Sequence, residues 1–199
     1  MEGRSGTRGE RTLENIRLLG FAGSLRQRSY NRALLRAAIA AAPAEVTVET
    51  AEIGDLPLYN GDLDTATPPE PVRRFRAQIR EADGLLIATP EYNYSIPGGL
   101  KNAIDWPSRP ATNSALKRKP IGIMGTAGGR FGSVRAQLAL RQVFVFTESF
   151  VMLKPEIILP NETQLFNEQL ELIDDDVRVL LAQFMQALAE WVVRMRDDR

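Results

Sequence analysis

The architecture of this protein is first visible in residues 16–42, which read IRLLGFAGSLRQRSYNRALLRAAIAAA. The apolar run at 16–23 predicts a β-strand, and the alanine- and leucine-rich stretch from Ser29 to Pro43 predicts a helix that ends at the proline. The turn between them contains Gly23, two serines and two arginines. A strand, a small-residue turn and a helix in this order indicate the first half of a βαβ unit.

The same alternation of strand and helix continues along the chain. Further strands are predicted at 45–53, 84–90, 119–129 and 149–153, and further helices at 72–83, 98–106 and 133–147. A last helix is predicted from apolar residues three or four positions apart, namely Ile173, Val177, Leu180, Leu181, Phe184, Leu188, Trp191, Val192 and Met195. This pattern predicts an open, doubly wound α/β fold, in which a five-stranded parallel sheet has helices on both faces.

Composition narrows the possible functions. The chain has 199 residues, with 25 Lys and Arg against 25 Asp and Glu. A neutral chain has no basic field for nucleic acid, and no apolar run is long enough to span a bilayer. We therefore expect a cytoplasmic protein with no nucleic-acid or membrane partner, in which residues 1–14 form a mobile polar tail and residues 15–199 a single domain.

The chain contains no His and no Cys, which excludes several kinds of active site. A Ser-His-Asp triad, a cysteine nucleophile and zinc or iron–sulfur ligation by these side chains are impossible. An enzyme of this composition works with carboxylates, hydroxyls and backbone amides, with a hard cation, or with a borrowed cofactor. We expect a borrowed cofactor and no metal site.

The loop after the first strand is predicted to bind an anion. In a sheet of this kind, ligands bind beyond the carboxyl ends of the strands. The amides at the start of the helix and the side chains of Ser24, Arg26, Ser29 and Asn31 suit a phosphate group. An alternative stays open, in which Ser29 or Asn31 only caps the helix and Arg26 is solvated. The glycine patterns of Walker A and dinucleotide loops are absent from this loop.

Two further loops end at the same predicted edge of the sheet. TPEYNYSIPGG, residues 89–99, follows the third strand and combines prolines with two tyrosines, which suits a stiff slot for a planar ring. The alternative is a turn whose tyrosines pack on the domain surface. GTAGGRFG, residues 125–132, follows the fourth strand, and its glycines permit close approach of the backbone to a flat ligand.

Together the three loops resemble one known family. GSLRQRSYN, PEYNYSIPGGLKNAIDW and AGGRFGSVRAQ are similar to motifs of the NADPH-dependent FMN reductase family, and the resemblance spans about residues 16–155. It implies a flavodoxin-like FMN-binding domain, a three-layer α/β sandwich with the strand order 2-1-3-4-5, and NADPH or NADH as co-substrate. It also implies a homodimer or homotetramer and a second, small-molecule electron acceptor, which is a quinone, flavin, azo compound or metal oxyanion.

The resemblance also implies roles for individual residues. No catalytic side chain is expected, because hydride transfer takes place at flavin N5 in a ping-pong reaction. Arg109 and Arg130 are further candidates to contact the phosphates of the cofactor, and the alternative for each is an arginine on the surface or at a subunit contact. By motif position, the cofactor-binding residues are Ser24, Leu25, Arg26, Ser29 and Asn31 around the phosphate, Pro90, Glu91, Tyr92 and Asn93 along the ring, and Thr126, Gly128 and Gly129 on its far side.

A flavodoxin-type electron carrier is the alternative function. Such a protein also binds FMN, but it passes electrons between protein partners and does not itself oxidise a nicotinamide. Flavodoxins tend to be strongly acidic, whereas this chain is neutral and carries Arg26 and Arg28 in its first loop. The composition therefore favours the enzyme.

Overall fold

The computed structural model describes residues 15–196, in which strands and helices alternate. The strands are β1 (Ile16–Ala22), β2 (Val46–Thr50), β3 (Gly84–Ala88), β4 (Pro120–Ala127), β5 (Phe150–Val151) and β6 (Ile157–Pro160). The helices are α1 (Tyr30–Ala40), α2 (Glu70–Glu81), α3 (Gly98–Asp105), α4 (Val134–Phe146), α5 (Glu162–Leu165) and α6 (Asp175–Arg196). The predicted polar tail at 1–14 lies outside the described residues.

The strands form a parallel sheet with the order β2-β1-β3-β4-β5, as predicted. The sheet also contains a sixth strand that was not predicted, β6, which pairs with β4. β5 pairs with Pro120 and Ile121 at the start of β4, and β6 pairs with Met124 to Ala127 at its end. β3 pairs with one side of β4, as far as Met124. β5 and β6 therefore both pair with the opposite side of β4, one after the other along its length. Pro155, which has no N–H to donate to a neighbouring strand, lies between them.

The core has two layers, one on each face of the sheet. Successive residues of β1 point to opposite faces, so Leu18 packs with α1 and α6 whereas Leu19 packs with α2 and α3. The strand β3 is buried throughout, as its continuous apolar run predicts. Helices therefore cover both faces of the sheet. The edge at which a ligand is expected to bind is the one formed by the carboxyl ends of the strands.

The structure confirms most of the apolar face that was predicted for the last helix, α6. Val177, Leu181, Phe184, Leu188, Val192 and Met195 are buried. Ile173 is an exception, because it precedes the helix and is 53% exposed. The helix begins at Asp175, after Ile173. Its first turn is marked by Asp174, whose side chain accepts a hydrogen bond from the N–H of Val177. None of the helices among residues 15–196 is both long and apolar enough to cross a membrane.

Candidate cofactor site

A polar cavity of about 200 Å³ opens where the loops after β1, β3 and β4 meet. The predicted residues that line it are Ser24, Arg26, Ser29, Asn31, Pro90, Glu91, Tyr92, Thr126 and Gly128. Leu25, Asn93 and Gly129 belong to the same loops but are not in its wall. Tyr30, Ala127 and Glu162 complete the lining and were not predicted. The register of the sheet explains the convergence, since Ala22, Ala88 and Met124 are neighbours across the three strand ends.

The first loop places two buried hydroxyls at the start of α1. Ser29 is the N-cap of α1, and its Oγ accepts a hydrogen bond from the N–H of Arg32 at 3.3 Å. The capping role considered for Ser29 is therefore what the structure shows. Ser24 Oγ lies 3.3 Å from the hydroxyl of Tyr92, which connects the first loop to the second. Arg28 donates to the carbonyl of Glu168 at 2.7 Å, whereas the exposed Arg26 lines the cavity.

Asn31 does not cap the helix but joins the first loop to the third. Its Nδ2 donates to the carbonyl of Thr126 at 2.9 Å, and its Oδ1 accepts the N–H of Thr126 at 3.1 Å. The hydroxyl of Thr126 donates in turn to the carbonyl of Leu159 at 2.9 Å, so β6 is tied to the same point. Both predicted residues thus line the cavity and also hold its walls together.

The tyrosine loop is a tight hairpin turn. Tyr92 and Ser95 exchange two backbone hydrogen bonds of 3.0 Å. The two residues between them, Asn93 and Tyr94, have φ values of 50° and 67°. Two positive φ values in succession are the pattern of a type I′ turn. A positive φ is energetically less favourable for a tyrosine than for an asparagine. The loop that was predicted to be stiff thus contains a tight turn closed by two backbone hydrogen bonds.

A buried carboxylate anchors this turn to α4. The side chain of Glu91 is 6% exposed and accepts hydrogen bonds from the N–H groups of Arg135, at 2.9 Å, and Ala136, at 3.3 Å. The carboxylate also accepts a hydrogen bond from the guanidinium of Arg135, with which it forms an ion pair. This hydrogen bond raises the pKa of Arg135. The guanidinium stacks over Tyr94, 3.8 Å from the ring centre, and over Phe131, at 5.1 Å.

The role of Arg135 was not predicted from the sequence. Glu91 and Arg135 are 44 positions apart, and neither neighbourhood has a local pattern that indicates a pair. Only the placement of α4 beside the tyrosine turn brings them together.

Two other arginines were proposed as phosphate contacts, and both lie over aromatic rings. Arg109 is over Phe146, 6.0 Å from the ring centre, and Arg130 is over Phe131, at 4.9 Å. Neither lines the cavity.

The glycines of the third loop have different surroundings. A Cβ added to Gly125 would lie 2.2 Å from the carbonyl oxygen of Thr89, so this glycine is required by the packing of β4 and not by a ligand. A Cβ on Gly128 would lie 3.4 Å from the carboxylate of Glu162. At Gly129 no described atom lies within 4 Å of an added Cβ. Close approach of a ligand is therefore possible at Gly128 and Gly129.

A larger groove, of about 780 Å³, lies on another part of the surface between α1 and residues 169–173. Its two cationic side chains are engaged by the chain itself. Arg36 donates to the carbonyl of Leu170 at 3.4 Å, and Arg178 donates to the carbonyl of Leu172. Alanine side chains of α1 form much of the remaining lining of the groove. The smaller cavity is the better candidate, because it lies at the carboxyl ends of the strands and its polar groups converge.

The parallel sheet, the polar cavity beyond its carboxyl edge and the tight aromatic turn define a flavodoxin-like α/β protein with a candidate cofactor site. The sequence profile of the NADPH-dependent FMN reductases matches residues 16–164. The chain belongs to this family, as its three loop motifs indicated.

Individual relatives agree with this assignment. An NAD(P)H-dependent FMN reductase of Pseudomonas aeruginosa is 48% identical over 183 residues, which cover 92% of this chain and 98% of the relative. A quinone reductase of Pseudomonas putida is 44% identical, with 85% and 91% covered. The solved structure of the flavoenzyme NAD(P)H:(acceptor) oxidoreductase of Paracoccus denitrificans superposes with a TM-score of 0.82, at 33% identity, over 89% of this chain and 97% of that one.

Proposed function

We propose that this protein is an FMN-dependent oxidoreductase that oxidises NADPH or NADH and reduces a small-molecule acceptor, with quinones as the favoured class. The observation that carries the proposal is that the start of α1, the tyrosine turn and the glycine backbone at Gly128 converge on one cavity. The relatives named as FMN and quinone reductases support the choice of cofactor and acceptor.

The residues of the cavity fit the phosphate and polyol part of FMN. A volume of about 200 Å³ is smaller than a site that encloses a whole ligand of this size, so the ring would extend beyond it. The free amides at the start of α1, the hydroxyl of Ser24 and the guanidinium of Arg26 would hold the phosphate. The amide of Asn31 and the Oγ of Ser29 already bond the backbone, so they would shape this pocket more than they bind in it.

The tyrosine turn would orient the ring. When bound, FMN supplies the redox chemistry, because it accepts a hydride from a nicotinamide and passes electrons to an acceptor in a second half-reaction. The backbone from Pro90 to Asn93 would line one edge of the ring, and Gly129 would permit contact on its far side. Glu91 is bonded to α4 and Arg135, so it holds the loop and is not free to transfer a proton.

We also propose that the protein works as a homodimer or homotetramer. On α4, Leu138 and Val145 are two turns apart on the outer face, and they are 60% and 77% exposed. Phe146 follows at 68% exposure, and Phe131 and Tyr94 extend the apolar surface towards the cavity at 51% and 73%. An exposed apolar surface of this kind is typical of a subunit interface. A second copy would cover it and close the open side of the ring site.

Anaerobic reduction of the purified protein tests the proposed function. We expect a yellow protein whose flavin absorbance is bleached by NADPH or NADH alone and restored by a benzoquinone. Initial rates at several fixed quinone concentrations should give parallel double-reciprocal lines, as a ping-pong reaction requires. A protein that bleaches only when a separate reductase is added would be an electron carrier. A colourless protein that takes up no FMN would contradict both functions.

A further inference from the structure

Glu162 lines the candidate cofactor site but belongs to none of the three loop motifs. It is the first residue of α5 and follows Asn161, whose φ of 54° turns the chain back towards the sheet edge after β6. Its carboxylate lies beside Gly128 in the lining of the cavity, to which the first loop contributes Arg26. The cavity therefore has a cation contributed by its first loop and an anion contributed by α5.

One oxygen of this carboxylate lacks a partner. Oε2 of Glu162 is buried, and no donor within residues 15–196 forms a hydrogen bond with it. A buried carboxylate oxygen without a donor is costly, because it has lost its bonds to water and gained none in return. An acceptor of this kind in the wall of a cavity requires a donor from outside the described chain, and a bound ligand can supply it.

The chemistry of FMN identifies that donor, if the proposed cofactor is correct. The phosphate of FMN carries negative charge and offers acceptors, so a carboxylate repels it. The ribityl chain offers hydroxyl groups, each of which donates one hydrogen bond. We propose that Glu162 accepts a hydrogen bond from a ribityl hydroxyl of FMN. The opposite charges then orient the cofactor, with its phosphate towards Arg26 and its polyol towards Gly128.

Binding of FMN and of analogues that each lack one ribityl hydroxyl tests this proposal. The measurement is the Kd of apoprotein for each compound, from the quenching of flavin fluorescence, for wild type, Glu162→Ala and Glu162→Gln. We expect Glu162→Ala to weaken FMN binding about 10-fold or more, as for a lost hydrogen bond to a charged group. The loss should be smaller for Glu162→Gln, whose amide oxygen still accepts. For one analogue, wild type and Glu162→Ala should bind equally, because the bond is already missing.

Two controls distinguish a direct bond to FMN from a structural role of the carboxylate. Glu81→Ala removes a carboxylate from the exposed end of α2, at the opposite edge of the sheet, and should bind FMN as wild type does. The apoprotein with Glu162→Ala should unfold at no lower temperature than wild type, because an unpartnered group is removed; a drop would indicate a structural role.

Three outcomes would overturn the proposal. Tighter FMN binding by Glu162→Ala would mean that the carboxylate faces the phosphate. An equal loss for FMN and every analogue would place the bond elsewhere on the cofactor. Unchanged binding would mean no contact at all. Wild-type protein that binds no FMN would instead refute the proposed function, so the two failures are distinguishable.

Discussion

The side-chain amide of Asn31 bonds both backbone groups of Thr126, with Nδ2 2.9 Å from the carbonyl oxygen and Oδ1 3.1 Å from the nitrogen. The two residues are 95 positions apart, and Asn31 and Thr126 are 4% and 1% exposed. The bonds fix the first turn of α1 against the end of β4. The two bonds therefore connect the first and third loops where these loops line the cavity.

Asn31→Ala should destabilise the apoprotein. The substitution leaves the buried N–H and carbonyl of Thr126 without partners, at a cost of about 1–3 kcal/mol in the free energy of unfolding. Urea denaturation of the apoprotein measures this loss without any contribution from cofactor. Ser29→Ala, which removes the cap of the same helix, is the matched control and should cost about 1 kcal/mol. Wild-type stability in Asn31→Ala would show that the bonds contribute nothing net.

Glu91→Ala should loosen the tyrosine turn. It removes the acceptor of two N–H groups at the start of α4, and a lost helix cap costs about 0.5–2 kcal/mol. FMN binding should weaken as well, because the turn that orients the ring loses its anchor. The raised pKa of Arg135 means that its charge is lost only at more alkaline pH than usual, so wild type should not lose this ion pair by deprotonation of Arg135 near neutral pH. Denaturation and FMN titration of the same preparation measure both effects, and a stable variant with wild-type affinity would contradict the anchoring role.

The fold was predictable where the pattern is local. β3 is an uninterrupted apolar run, and α6 repeats its apolar residues at helical spacing, so both were found within a few residues. β6 was missed because its four residues are too short to show a period and follow a proline. It forms only because β4 is long enough to pair with β5 at its start and with β6 at its end.

The site was predictable to the extent that its residues lie in motif loops. Ser24 and Tyr92 were assigned to different loops, and the structure places their hydroxyls 3.3 Å apart. Arg135 and Glu162 were missed, because each reaches the site from an element that has no signature of its own. Their contributions depend on tertiary packing of α4 and α5, which no spacing along the chain reveals.

Two glycines of the third loop separate the effects of packing and binding. Gly125→Ala should reduce the stability of the apoprotein by about 1–3 kcal/mol or more, because the added Cβ collides with backbone. Gly129→Ala should leave apoprotein stability unchanged, because no described atom lies within 4 Å of its Cβ. It should nevertheless weaken FMN binding, since the methyl group intrudes on the ring. Thermal unfolding and FMN titration of both variants check this, and normal FMN binding by Gly129→Ala would place the ring elsewhere.

Arg26→Ala should weaken the binding of FMN but not of riboflavin. Arg26 lines the part of the cavity proposed to hold the phosphate, and loss of a charge-assisted bond there should raise the Kd for FMN about 10-fold or more. Riboflavin has no phosphate, so its Kd should not change. Arg28→Ala is the matched control, because Arg28 donates to the carbonyl of Glu168 outside the cavity. An equal loss of both flavins in Arg26→Ala would contradict a phosphate contact.

The exposed face of α4 predicts how the proposed oligomer can be dissociated. Val145 is 77% exposed in one subunit, so Val145→Glu should not disturb the fold of that subunit. In an interface the new carboxylate would be buried without a partner, which is strongly unfavourable. We expect wild type to have the mass of a dimer or larger by light scattering at micromolar concentration, and Val145→Glu to dissociate at the same concentration. Val179→Glu, at a 58% exposed position of α6, is the control and should stay associated. A monomeric wild type, or a Val145→Glu variant that remains associated, would show that α4 is not the subunit interface.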